Sequence, residues 1–218
     1  MKIYWLVLFL ADFLICIGRN SAWAQSVDSV SITKEHSRLE EALEAPEKVY
    51  RLNLSNQNLS DFQGLLPKFT NLRYLSLRNG KLNYIPSEVL KLRQLQILDL
   101  GENSIRELPA EFAGLKNLEE LYLDNDIYLD LSQNMNVLGK LPKLRILHLE
   151  NDAIKQLPQN IKNLTHLEQL FLGNNLLQFV PPEVKGLQNL KYLDLNHNKI
   201  SIDLPMNQVS GPGLKIKF

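Results

Sequence analysis

The chain has 218 residues, with 24 lysines and arginines against 24 aspartates and glutamates and a single cysteine. Zero net charge leaves no global field to draw in nucleic acid, whose binding rests on neutralised phosphates. One thiol can make no internal disulfide and no multi-cysteine zinc or iron–sulfur site. A content of 44% hydrophobic and 22% charged residues is the balance of a folded globular chain of one or two domains, not of a disordered one.

Residues 1–24 stand apart. Lys2 opens with positive charge, Ile3 to Ile17 is apolar except for Asp12, and Ala22-Trp23-Ala24 fits a small-x-small cleavage site; this is the pattern of a secretory signal peptide. The competing reading is an uncleaved anchor, which needs roughly 20 apolar residues where this run supplies about 15. Cleavage near Ala24 removes Cys16, Trp5 and Trp23 and leaves one excess negative charge. The protein is then expected in the periplasm, at the cell surface or secreted, held together by packing alone. Residues 25–48 read as an amino-terminal helical cap: Thr33 can N-cap a helix over Lys34 to Ala45, with Leu39 and Leu43 on one face and Pro46 ending it.

From residue 49 to about 204 the chain repeats itself. The segments starting at Val49, Leu72, Leu95, Leu118, Leu144, Leu167 and Leu190 read VYRLNLSNQNL, LRYLSLRNGKL, LQILDLGENSI, LEELYLDNDIY, LRILHLENDAI, LEQLFLGNNLL and LKYLDLNHNKI. Aliphatic residues hold positions 1, 4 and 6 throughout, and successive starts lie 23, 23, 23, 26, 23 and 23 residues apart. A period of this size marks a solenoid. The pattern resembles the leucine-rich repeat family, whose signature is LxxLxLxxNxL. The second half of the unit is similar to that family's LPxE turn at Ile85-Pro86, Leu108-Pro109, Leu157-Pro158 and Val180-Pro181.

Alternation at positions 4 and 6 makes a short strand with both leucines on one face, so positions 3, 5 and 7 point the other way. One strand per repeat cannot bury its leucines alone. Stacking places the strands in a parallel sheet about 4.8 Å apart, while the Pro-led segment returns outside as a short helical or 3₁₀ turn. The outer segment is bulkier, so the stack curves with its strands inside. The expected fold is therefore an α/β leucine-rich repeat solenoid of about seven repeats. Asn103, Asn175 and Asn198, at position 9, are expected to turn inward and satisfy backbone groups at the bend. One period after Leu190, Ile216 and Phe218 fall at positions 4 and 6, so residues 205–218 are expected to end in a truncated cap strand, with a frayed tail as the competing reading. The cysteine-free ends and the AWAQ junction resemble secreted leucine-rich repeat proteins of Gram-negative bacteria, of the Bacteroidetes type.

Function rests on the surface, not the fold. The inner face is expected to carry Tyr74, Ile97, Asp99, Glu120, Tyr122, Asp124, Ile146, His148, Glu150, Phe171 and Tyr192. Arg51, Arg73 and Arg78 fall on repeats 1 and 2, while Asp99, Glu102, Glu119, Glu120, Asp124 and Glu150 fall on repeats 3 to 5, a basic entrance and an acidic middle. Outward aromatics rimmed by charge suit a protein contact site. Repeats 3 to 6 are accordingly expected to bind a basic or mixed peptide or protein, with the chain a monomer, no cofactor and no enzymatic role. The alternative is an envelope-associated structural or glycan-binding protein. His148 could in principle serve as a general acid or base, yet no nucleophile with an orienting carboxylate accompanies it in a recognisable motif, and a concave solenoid face has no deep pocket.

Two departures stand at position 9, where Asp126 and Asp152 replace Asn in neighbouring repeats. Two such carboxylates close together imply either a retained proton or a cation such as Ca²⁺ between them, or else each accepts backbone N–H bonds as Asn does. The same region holds the 26-residue unit, whose Tyr128-Leu129-Asp130-Leu131 replaces the LP turn. A bulged loop is expected there, with the insertion a second contact point.

Overall fold

The computed structural model describes residues 32–58, 64–200 and 213–218; the amino-terminal segment expected to be cleaved lies outside them. Among the described residues nine strands form one parallel sheet in chain order. They are β1 (Glu35–His36), β2 (Arg51–Asn53), β3 (Tyr74–Ser76), β4 (Ile97–Asp99), β5 (Glu120–Tyr122), β6 (Ile146–His148), β7 (Gln169–Phe171), β8 (Tyr192–Asp194) and β9 (Lys215–Lys217). The register follows the repeat: Leu75 lies beside Leu98, Leu98 beside Leu121, and Leu121 beside Leu147. Position 4 is fully buried in every repeat, from Leu52 to Leu193, and the leucines at positions 1 and 6 pack behind and beside it. The core is thus a stack of identical layers, each useless alone because its leucines would face water.

Opposite the strands the chain returns through short 3₁₀ turns at Leu66–Lys68, Val89–Lys91, Ala110–Gly114, Gln159–Asn163 and Pro182–Gly186. Pro109, Pro158 and Pro181 stand in extended conformation just before three of them, where a missing N–H costs nothing. Each turn buries one apolar side chain: Leu66, Val89, Phe112, Ile161 and Val184. The bend after each strand needs a left-handed residue at position 8, at Asn56, Asn79, Glu102, Asn125, Asn151, Asn174 and His197. Asn fills five of these seven, being among the few side chains that enter that region readily.

Three expectations are corrected. The 26-residue repeat carries a helix, α2 (Leu131–Leu138), in place of a bulged loop. The Asp130 carboxylate accepts the Gln133 N–H at 3.0 Å and caps it, and Met135 and Leu138 turn inward. The three extra residues are absorbed outside the sheet, so β5 and β6 keep their register. At the front, the expected helix over Lys34 to Ala45 is reduced to α1 (Leu39–Ala42), preceded by Arg38 and not by a capping Thr33. Glu35 and His36 pair with Arg51 and Leu52 as a strand, because an open edge of β2 offers unpaired backbone groups that a strand can satisfy and a helix cannot. Leu39 and Ala42 are buried against the first layer, while Leu43 is half-covered. At the back, Ile216 pairs with Leu193 as position 4 of an eighth unit, but Phe218 is 44% exposed and covers no core.

Candidate functional site

Parallel register carries each odd position of the strands into a row across the concave face. At position 5, Tyr122, His148, Phe171 and then Asp194 become lateral neighbours. Strands this close bring flat rings into contact. The Tyr122 and His148 rings are parallel with centroids 3.9 Å apart, and His148 and Phe171 are parallel at 4.4 Å. Tyr192, at position 3 of the next repeat, closes the column against Phe171 at 5.4 Å with its ring tilted by 50°. Four of the expected binding residues are therefore one continuous object.

Carboxylates hold the imidazole from both edges. His148 Nε2 lies 3.2 Å from Glu120 Oε1, and Nδ1 lies 3.4 Å from Glu150 Oε1. The Tyr122 hydroxyl donates to the same Glu120 oxygen. Burial opposes charge on His148, but the hydrogen bonds and fields of Glu120 and Glu150 outweigh it and push the imidazole up to about 9. At neutral pH the group is an imidazolium between two aromatic faces, a cation–π arrangement. With both faces covered and both nitrogens engaged, it is not placed to act as a general base.

This raised value makes stability pH-dependent. Below about pH 6.5 both folded and unfolded imidazoles are protonated and the stabilisation is fully present; it is lost as pH rises through about 9. The His148 ring protons followed by NMR are expected to titrate near pH 9, and Glu120→Gln is expected to move the midpoint down. A midpoint near 6.5 in the unmodified protein contradicts the clamp.

The expected basic entrance does not stand apart from the acidic middle. Arg78 reaches along the face from repeat 2 to repeat 4: its Nε donates to Asp99 at 3.1 Å, Nη1 to Glu102 at 2.9 Å and Nη2 to Asp124 at 2.6 Å. Gly101 permits this, since a Cβ there would collide with the Arg78 guanidinium. Burial works against the guanidinium charge, but its hydrogen bonds to Asp124 and Asp99 hold it more firmly protonated than an ordinary arginine. Ser76, at position 5, donates to the same Asp99 oxygen at 3.0 Å. Asp124 is buried as part of this network. Arg51 lies over the Tyr74 ring at 4.1 Å and pairs with Glu35 of β1 at 3.2 Å. Ile97 and Ile146, at position 3, are half-buried between these groups. The face is a series of ion-paired clusters in which carboxylates outnumber the cations, so its middle stays acidic in sum while Arg51 and Arg78 are drawn into pairs.

Asp126 and Asp152 lie behind the face in the position 9 ladder. Asp126 accepts the N–H groups of Ile105 and Tyr128, and Asp152 accepts that of Asp126 at 2.7 Å. Among the described residues no three histidine, cysteine or acidic side chains are grouped to hold a metal ion. Sequence reasoning missed the exposed large apolar side chains outside the strands: Tyr84, Ile127 and Tyr128 are each more than 60% exposed, with Phe179 at 47%. Tyr128 stands at position 11, which Leu82, Ile105, Ile154 and Leu177 bury in other repeats. It lies three residues before helix α2.

A sheet of one short strand per repeat, an asparagine ladder and outer 3₁₀ turns define a solenoid built from leucine-rich units. Family models agree: one described as a leucine-rich repeat region matches residues 27–138, and one described as leucine rich repeat matches residues 142–200. The chain belongs to the leucine-rich repeat family. No curated protein matches it. Among solved structures it is similar to an internalin from Listeria monocytogenes, at 25% identity and a TM-score of 0.57 over 78% of this chain and 47% of that one. It is also similar in fold to a chain of the Toll–Spatzle complex of Drosophila, at 19% identity and a TM-score of 0.68 over 84% of this chain and 25% of that one. The chain thus spans less than half the length of either. Among the described residues no helix is long and apolar enough to cross a membrane.

Proposed function

We propose that the protein is a non-enzymatic binding module that takes a protein or peptide segment along the concave face of repeats 3 to 6. The observation that carries this reading is the column Tyr122–His148–Phe171–Tyr192, in which His148 is enclosed at 12% exposure while Tyr122, Phe171 and Tyr192 each keep part of their surface open. Rings fixed by stacking and by the Glu120 and Glu150 clamp lose little freedom on binding, so their contact area converts efficiently into affinity. Leucine-rich repeat domains generally serve protein interactions, which supports the same reading.

The charge around the column sets the partner's preference. Asp99, Glu102, Glu120, Asp124 and Glu150 face Arg78 and the His148 imidazolium, an excess of three negative charges. A segment combining apolar side chains with lysine or arginine fits this surface. Cleavage near Ala24, action outside the cytoplasm and a monomeric state belong to the same proposal.

Peptides selected from a random display library on the immobilised protein test it. Tyr192→Ser is expected to weaken the selected peptides about tenfold or more, and Tyr84→Ser, on the outer surface, to leave them unchanged. Peptides indifferent to Tyr192 but sensitive to Tyr84, or a surface that enriches no peptide yet retains glycans, would overturn the reading.

A further inference from the structure

Position 9 is a ladder of side-chain amides, and the interior carboxylate of Asp152 occupies one of its rungs. Asn175 Nδ2 donates to the carbonyls of Leu149, Leu172 and Gly173, at 2.7, 3.0 and 3.4 Å. Asn198 Nδ2 repeats the pattern one unit on, with the carbonyls of Leu172, Leu195 and Asn196. The oxygen of each amide accepts a backbone N–H from the preceding repeat. A rung therefore needs an acceptor on one branch and a donor on the other.

Asp152 fulfils half of that requirement. Its Oδ1 accepts the Asp126 N–H at 2.7 Å. Its Oδ2 is buried and has no hydrogen-bond partner. By repeat equivalence this second oxygen occupies the place of the amide nitrogen, where the neighbouring carbonyls are those of Leu123, Leu149 and Glu150. An ionised carboxylate is acceptor-only and has nothing to offer them; a protonated one carries the O–H donor that the rung lacks.

We propose that Asp152 is a neutral carboxylic acid in the folded protein, its Oδ2–H standing in for an amide N–H and tying repeat 4 to repeat 5, so that the junction beneath the concave face loosens as the proton is lost. The surroundings support a retained proton. The titratable groups that face it are Asp124 and Asp126 from repeat 4 and Glu150 from its own repeat, all acidic, while repeat 6 presents the neutral Asn175. Burial is the largest influence and raises the carboxyl to about 8; the bond from the Asp126 N–H opposes this, and the three acidic neighbours add to it.

Linkage fixes the sign. Between the ordinary carboxylate range near 3.8 and about 8 the folded state holds one proton more than the unfolded state, so this group destabilises the fold progressively as pH rises across that window. Its share of the unfolding constant grows about tenfold per pH unit. Asp152→Asn supplies the N–H permanently. Urea unfolding of both proteins between pH 5 and pH 8 is expected to show the unmodified protein losing stability with pH faster than the variant, by a difference of one bound proton. Because His148 and the other acids titrate in both proteins, that difference isolates Asp152. Equal slopes overturn the proposal. Should Asp152→Asn fail to fold, the Asp152 Cγ shift in the unmodified protein decides: a neutral carboxyl signal at pH 6 is expected, and a titration completed below pH 5 contradicts it.

Discussion

Arg78→Met is expected to lower the unfolding free energy by about 3–5 kcal/mol, the cost of breaking a largely buried charge cluster by removing one partner. The guanidinium side chain is 25% exposed, and Asp99 and Asp124 are 13% and 11% exposed. Without it, two enclosed carboxylates face each other across Gly101 with no cation between them, and Glu102 loses its partner at the rim. Arg78→Lys is expected to recover only part of the loss, since one ammonium cannot span three carboxylates set in different directions. Chemical denaturation at neutral pH measures both variants. A loss below about 1 kcal/mol places the cluster with ordinary surface ion pairs.

Asn175→Ala is expected to be as damaging, at about 3–5 kcal/mol. This side chain is 3% exposed and pairs with five backbone groups: three carbonyls, and the N–H groups of Asp152 and Ile154 at 3.0 and 2.9 Å. Each buried group left without a partner costs about 1–3 kcal/mol, and water entering the vacated space recovers some of the sum. Asn56, left-handed and exposed at a bend of the first repeat, provides the contrast: its replacement by alanine costs the backbone strain and one exposed hydrogen bond, from the Asn79 amide at 2.8 Å, together about 1–2 kcal/mol. Equal losses for the two would show that the ladder does not couple the repeats.

Repetition explains how much of this was legible. The leucines at positions 1, 4 and 6 recur with one spacing, so a single unit determines every layer, and the register of Leu98 against Leu121 follows from a 23-residue step. The concave row could be read for the same reason: Tyr122, His148 and Phe171 share a position and so share a row. What escaped is whatever breaks the period. Helix α2 lies where the LP turn is missing, although Asp130 with Gln133 three residues later is an N-capping signal. Strand β1 has two residues and no pattern of its own; the open edge of β2 selects it. The charges were read repeat by repeat, which separated Arg78 from its partners. An arginine side chain crosses two strand spacings, so Arg78 in repeat 2 meets Asp124 in repeat 4. Burial at position 9 was foreseen, but not that Asp152 Oδ2 lies without a donor.

The most direct test of the account follows the ring resonances of the selectively labelled protein during titration with a selected peptide. Binding along the concave face predicts that Tyr122, Phe171 and Tyr192 shift together and that their saturation curves coincide. Tyr84, Tyr128 and Phe179, exposed on the outer side, are expected to stay in place. Shifts confined to those outer rings, with the stacked column unmoved, would contradict the assignment of the inner face as the binding surface.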